Sequence, residues 1–214
     1  MAETTKSPRE RYRTQVRAEI KEHAWEQIAT TGASALSLNA IAKQMGMSGP
    51  ALYRYYASRD DLITELIRDA YRSLADTVLS AATAGADLAG LAHAMRDWAL
   101  ADPQRYLLIY GTPVPGYQAP DDITLISSEI MTALLDAAVK LPQHAEPTPL
   151  DLHLADHRDW AAGHPAPPEA LHRALSFWTR VHGVLSLELA GHFTGMRFDP
   201  ALLFEAELND LLTR

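Results

Sequence analysis

The 214 residues hold 19 Lys and Arg, 27 Asp and Glu and no Cys, for a formal net charge of -8. The missing Cys excludes a disulfide framework and thiol chemistry. No apolar run approaches the roughly 20 residues that span a bilayer, and the charged start MAETTKSPRERYR lacks the apolar segment of a secretory signal, which reads as cytoplasmic.

Residues from about 9 to 31 predict a first helix with Val16, Ile20, Ala24 and Ile28 at four-residue spacing, Trp25 widening that face and Gly32 ending it. Arg9, Arg11, Arg13 and Arg17 at its start offer attraction to phosphates. A second helix follows a Ser37 cap with Leu38, Ile41, Ala42 and Met45 on one face. Gly46 ends it, because glycine tolerates the left-handed backbone of a helix stop. Met47 turns back to the core, Ser48 caps a third helix, and Pro50 suits its first turn. Leu52 and Tyr56 seat this helix on the previous one, leaving Gly49, Pro50, Ala51, Arg54 and Tyr55 to face outward. Two short helices across a Gly-containing turn describe a helix-turn-helix, whose second helix enters the DNA major groove by its N-terminal end.

Charge distribution agrees with that reading. Residues 1–59 carry nine Lys and Arg against five Asp and Glu, whereas the other 155 carry ten against twenty-two. The basic end can approach DNA and the acidic body must face away from it.

Ser58 caps a long helix from Arg59 to about Ala84, striped by Leu62, Leu66, Ala70 and by Ile63, Ile67, Leu74. Leu88 to Leu100 predicts a helix with Leu91, Met95 and Trp98. Asp102 and Pro103 open a short apolar helix through Tyr110, and Gly111, Pro113, Pro115 and Gly116 force a loop. A helix from Asp121-Asp122 to about Leu141 has Leu125, Ile130, Leu134 and Val139 inward, with Met131 adjacent. Residues 142–168, with six prolines and four of the nine histidines, read as a long connection with a short helix around Leu150 to Trp160. From Glu169, Leu171, Leu175, Trp178, His182, Leu185, Leu189 and His192 step by four and three, a heptad-like seam for packing on another helix. Pro200 starts a last helix with Leu203, Ala206, Leu208, Leu211 and Leu212.

The segment Ile41-Ala42, Gly46-Met47-Ser48, Leu52-Tyr53-Arg54-Tyr55-Tyr56 and Ser58-Arg59-Asp60-Asp61-Leu62 resembles the DNA-binding domain of the TetR/AcrR family of transcriptional repressors. Arg59 stands where the family commonly has Lys, and Tyr56 where it usually has Phe. Trp178-x3-His182-Gly183 further resembles a ligand-domain subtype known by its Trp-His-Gly signature, over about Leu91 to Leu212. The resemblance implies an all-α protein of about nine helices. A three-helix DNA-binding domain would occupy 1–58 and a helical ligand-binding and dimerisation domain 59–214. It also implies that the long helix after Ser58 connects the head to the body, and that a tilt of it changes the spacing of two heads.

On that basis the chain is expected to bind a palindromic double-stranded operator as a homodimer, to repress transcription and to leave on binding a small, mostly apolar effector. No cofactor is called for. Phosphates would be met by Ser48, Tyr53, Tyr55 and Arg59, and base edges by Asn39, Gly49, Pro50, Ala51 and Arg54, with Arg54 pairing guanine and Asn39 adenine. Met95, Trp98, Tyr106, Tyr110, Met131, Leu134, Trp178 and His182 are the effector-pocket candidates. His182 also fits a hydrogen-bonded core residue, and Gly183 close helix packing. Leu171, Leu175, Leu185, Leu189, Leu203, Leu208 and Leu211 are the dimer-interface candidates. Two other readings stay open: an activator or ligand-independent regulator of the same fold, and a metal-dependent hydrolase using His153 and His157, four apart near Asp151, Asp156 and His164.

Overall fold

The structure is a computed structural model that describes residues 7–111, 120–142 and 146–213. Among these the regular structure is helical, with ten α-helices and two short 3-10 turns. The chain divides into two compact units, with the break between Arg68 and Asp69. Pro113, Pro115 and Gly116, expected to form a loop, lie outside the described residues.

In the first unit α1 (Pro8–Thr31) starts in a reciprocal cap. The Glu10 amide donates to Ser7 Oγ at 3.2 Å and the Ser7 amide to Glu10 Oε2 at 2.7 Å, satisfying two donors that a helix start leaves open. Val16, Ile20, Ala24 and Ile28 are its buried stripe. Gly32, at φ +81°, ends it ahead of a 3-10 turn at Ala33–Ala35. Ser37 Oγ accepts from the Ala40 amide to start α2 (Leu38–Gln44), whose Leu38, Ile41 and Ala42 are buried. Gly46 adopts φ +65°. The Met47 amide then donates to Ala42 at 2.8 Å, so the turn into α3 (Gly49–Leu52) closes on α2's free carbonyls. Ser48 occupies the cap position of α3 but its hydroxyl makes no capping bond, unlike the expectation. Leu52 and Tyr56 are buried, and the start of α4 (Arg59–Thr83) adds Leu62, Ile63, Leu66 and Ile67.

The second unit holds the rest of α4, α5 (Leu88–Ala101), α6 (Pro103–Tyr110), α7 (Asp121–Ala138), α8 (Pro149–Asp156), α9 (Pro168–Leu189) and α10 (Pro200–Thr213). The α-helices number ten against about nine expected, and the short helix expected around Leu150 to Trp160 is α8. Its Thr148 cap and Asp151 reciprocate hydrogen bonds, and Leu154 packs with Ala161, Ala166 and Leu171 in a small second core. The main core gathers Leu74, Val78, Leu91, Met95, Tyr106, Ile130, Leu134, Phe177, Val181, Leu185 and Phe204.

Several expected positions move. Leu125 is 68% exposed and Val139 is also exposed, whereas Ile123 is buried. The inward stripe of α7 runs through Ile123, Ile130, Leu134 and Ala137, and Leu125 lies off it because two residues is about 200° around a helix. Gly183 is exposed and an added Cβ would meet nothing within 4 Å, so it brings no helix of this chain close. Leu171 and Leu185 have no exposed surface, and Leu208 and Leu211 are buried too, so these dimer candidates are filled by the chain's own core. Leu175, Leu189 and Leu203 are half-buried. The α9 seam meets α7, α8 and α10 of the same chain, which a four-three spacing alone cannot distinguish from a partner helix.

Candidate nucleic-acid interface and effector core

The helix-turn-helix presents a polar surface built from α2 and α3. Asn39, Ser48, Pro50, Tyr53 and Arg54 are exposed, and Gly49, Ala51 and Tyr55 are half-buried. Asn39 Oδ1 would lie 3.3 Å from a Cβ added at Gly49, so the first turn of α2 and the start of α3 share one patch. A bare glycine there leaves room for the Asn39 amide and for close approach of another backbone. Arg54, just past the helical residues of α3, has an exposed side chain that makes no ion pair or hydrogen bond among the described residues and is free to reach outward.

Two arginines expected among the phosphate contacts turn inward. Arg17 donates from Nη1 to the Tyr55 carbonyl at 2.8 Å, pairs through Nη2 with Glu65 and lies over the Tyr56 ring at 4.4 Å. Arg59 donates from Nε to the Leu36 carbonyl at 3.1 Å and from Nη2 to Ala33 at 2.7 Å and Ser34 at 3.1 Å. Its remaining Nη1 is 3.5 Å from Asp60. A guanidinium satisfies several carbonyls of a tight turn at once. Here Arg59 caps the 33–35 turn and so anchors α2 to α4, and Arg17 anchors α1 to the end of the recognition segment.

In the second unit α6 and α9 bring four of the effector-pocket candidates together. The Tyr110 and His182 rings have centroids 4.1 Å apart, Trp178 and His182 4.1 Å, Tyr106 and Tyr110 5.3 Å, and Tyr110 and Trp178 5.5 Å. The Tyr106 hydroxyl lies 3.0 Å from His182 Nδ1 and 2.8 Å from Ser186 Oγ, and donates toward the His182 carbonyl at 3.2 Å. Trp98 instead donates from its indole nitrogen to Ser73 Oγ at 3.1 Å. Met95 and Leu134 are buried core, and Met131 packs at its margin.

Two polar atoms in this cluster, the Tyr110 hydroxyl and His182 Nε2, are buried with no hydrogen-bond partner among the described residues. Leaving each one unmet costs about 1–3 kcal/mol. Burial holds the His182 imidazole down to about 4, so it is neutral near pH 7. Burial pushes the Tyr106 phenol up to about 12 against the Ser186 hydrogen bond, and Tyr110 rises well above its ordinary value through burial and its neighbours Tyr71 and Tyr106.

The histidines of α8 do not assemble a metal centre. The His153 and His157 rings stack at 3.9 Å, and His157 Nδ1 lies 2.9 Å from the His153 carbonyl. Among the described residues no group of three or more His, Cys, Asp or Glu is placed to hold a metal ion. None of those residues forms a helix long and apolar enough to cross a membrane.

A basic, exposed helix-turn-helix on a separate helical body defines a DNA-binding transcriptional regulator. The family model for bacterial regulatory proteins of the tetR family matches residues 20–66, and that for the tetracyclin repressor-like C-terminal domain matches residues 88–211. The chain belongs to the TetR family, and its relatives are regulators, not enzymes. It is 36% identical over 211 residues to the HTH-type transcriptional regulator Rv1816 of Mycobacterium tuberculosis, covering 91% of this chain and 90% of that one. The crystal structure of regulatory protein SCO4313 is 72% identical, covers 97% of this chain and 100% of its own, and superposes with a TM-score of 0.90. A structure described as a tetR family transcription regulator from Shewanella sp. PV-4 has a TM-score of 0.60 over 92% of this chain and 96% of its own, and at 15% identity shows the shared fold.

No sequence signal told that Arg17 and Arg59 would turn inward, because the carbonyls they meet are provided by other elements. The Arg96–Glu188 pair, 92 residues apart, was equally invisible.

Proposed function

We propose that the protein is a repressor that binds a palindromic operator as a homodimer and releases it when a small, mostly apolar effector enters the second unit. The observation that carries the DNA half is the patch shared by exposed Asn39 and half-buried Gly49, with an exposed Arg54 on the same helix-turn-helix, whose supporting arginines are already engaged. In this reading Tyr53, Tyr55 and Ser48 meet phosphates and set position. Asn39 and Arg54 read adenine and guanine edges, and Gly49, Pro50 and Ala51 lie against thymine methyls or backbone. Arg59 supports the interface without meeting a phosphate. Half-sites about 34 Å apart would match two heads related by a two-fold axis. Exposed Gly183, Leu187 and Leu202 on α9 and α10 support a second copy as the cover of that surface. The effector would displace the aromatic packing around His182 and give the Tyr110 hydroxyl and His182 Nε2 the partners they lack. A tilt of α4 would then change head spacing.

The test is selection of bound duplexes from a random library at two salt concentrations. An enriched palindrome with steep salt dependence is expected; no enrichment from effector-free protein would overturn the reading. With that operator, Arg54→Ala should reduce its preference over random DNA by about 1–3 kcal/mol. Tyr53→Phe should weaken both nearly equally, and equal losses for both variants would reject the division of roles.

Arg59→Met should lower the first unit's stability by about 1.5–3 kcal/mol, the worth of hydrogen bonds to a charged donor. The salt slope of operator binding should stay unchanged, measured by fluorescence anisotropy. A slope smaller by about one would mean that Arg59 meets a phosphate after all.

A further inference from the structure

Three charged residues are buried among those described: Arg96, Asp151 and Arg173. Arg96 is held by Glu188, and Asp151 by Thr148 and His172. Arg173, 7% exposed, is paired with no carboxylate among the described residues. Its Nη2 donates to the Pro142 carbonyl at 2.6 Å, and its Nη1 is buried without an acceptor. A buried cation met only by one carbonyl lacks the counter-charge that normally offsets its desolvation.

Arg173 lines a cavity of about 440 Å³ together with Thr148, Glu169, His172, Ser176, Arg180 and Leu211. That volume is in the range of small-ligand sites. The wall is unevenly charged. Arg180 is answered by Asp210 at 2.8 Å and Glu207 at 3.5 Å. His172 is oriented by its Nδ1, 2.8 Å from the wholly buried Asp151, leaving Nε2 as its other polar atom. Burial pushes the Asp151 carboxyl up, but hydrogen bonds from Thr148 and His172 outweigh this and leave it below its ordinary value. Asp151 therefore stays an anion that holds the ring. The Glu169 carboxylate in the same wall disfavours a second negative charge on any occupant.

We propose that this cavity binds a small monocarboxylate, its carboxylate accepting from Arg173 Nη1 and its apolar part lying against Leu211. Ser176 offers a further hydroxyl donor that a carboxylate's lone pairs can use, while the Thr148 amide and hydroxyl and His172 Nδ1 are already committed to Asp151. The site is separate from the Tyr106–His182 cluster and does not rest on the effector reading above. A dianion such as phosphate fits less well, with one unanswered cation and Glu169 opposite.

The test uses the full chain with benzoate as probe, benzamide as its neutral isostere and inorganic phosphate as the dianion, at fixed ionic strength, followed by calorimetry and thermal shift. Saturable binding of benzoate, at least tenfold weaker or absent for benzamide and phosphate, is expected. Arg173→Met should remove it. Ser176→Leu, which fills the cavity and leaves Arg173 intact, should remove it as well, so that an unfolded Arg173 variant does not decide the matter. No saturable benzoate binding by the wild type at millimolar concentration would overturn the proposal. So would equal binding by Ser176→Leu. A benzoate-silent protein whose sedimentation shifts from dimer to monomer on Arg173→Met would assign the missing carboxylate to a second copy instead.

Discussion

Glu188→Gln should destabilise the second unit by about 3–5 kcal/mol, the largest single-residue loss expected outside its apolar core. Arg96 of α5 reaches Glu188 of α9 through two parallel hydrogen bonds, at 2.5 and 2.9 Å, and both side chains are nearly withdrawn from water. The guanidinium also lies 4.9 Å over the Phe204 ring of α10, so one cation ties three helices. Replacing the carboxylate by an amide keeps the shape and removes the charge, leaving Arg96 buried and uncompensated. A domain of this size should lose about 10 °C of melting temperature, since each kcal/mol is worth roughly 2–4 °C. The control is the double variant Arg96→Met with Glu188→Leu. Because a buried ion pair is offset by its own desolvation, an apolar pair of similar volume should recover most of the loss. Urea unfolding of the wild type, both single variants and the double variant gives the coupling directly. A Glu188→Gln loss below about 1 kcal/mol would place the pair with ordinary surface ion pairs.

That pair marks where the sequence stopped being readable. Helical spacing placed the stripes of α1 and α2, because a period of 3.6 residues depends only on neighbours along the chain. On α9 it caught Leu171 and Leu185 but missed the buried Phe177, Val181 and Val184, and the expected His192 is exposed past the helix end. Gly46 was equally legible, since its left-handed φ of +65° is demanded by the local turn. Which face of a stripe meets the chain's own core and which meets a partner depends on elements far away. Leu171 and Leu185 accordingly looked like interface and are interior. Long cations were the least legible. Arg17 and Arg59 sit in a basic segment that faces DNA in the proposed function, yet their guanidinium groups travel inward to carbonyls of other elements. The Arg54 side chain makes no such hydrogen bond among the described residues and stays exposed. Of the effector candidates, the Trp178-x3-His182 spacing put two rings on one face of α9, and α6 supplied Tyr106 and Tyr110 opposite them. The unmet hydrogen-bonding atoms of that cluster have no trace in the sequence.

Lowering the pH from 7 to 4.5 should remove about 2.5 kcal/mol of stability through His182 alone. Burial holds the imidazole at about 4 in the folded chain, against its ordinary 6.5. Between those values the unfolded chain binds the proton and the folded chain does not, so acid favours unfolding. The contribution is fully present above pH 6.5, falls as pH drops through the window and has vanished below about 4. Asp151 and Glu129 are held below their ordinary carboxyl values, Glu129 by its hydrogen bond from Arg72, so both add their losses lower in the acid range. His182→Phe separates the contributions. It keeps a ring between Tyr110 and Trp178, gives up the Tyr106 contact at Nδ1, and has nothing to titrate. Its stability at pH 7 should drop, while its loss between pH 7 and 4.5 should be about 2.5 kcal/mol smaller than that of the wild type. Denaturant unfolding at a series of pH values reads both quantities. Parallel pH profiles for the two proteins would show that His182 reaches water in the folded state. An effector that donates a hydrogen bond to Nε2 should keep its affinity down to about pH 4 and lose it only below, where the folded imidazole takes up a proton and Nε2 no longer has a lone pair to offer.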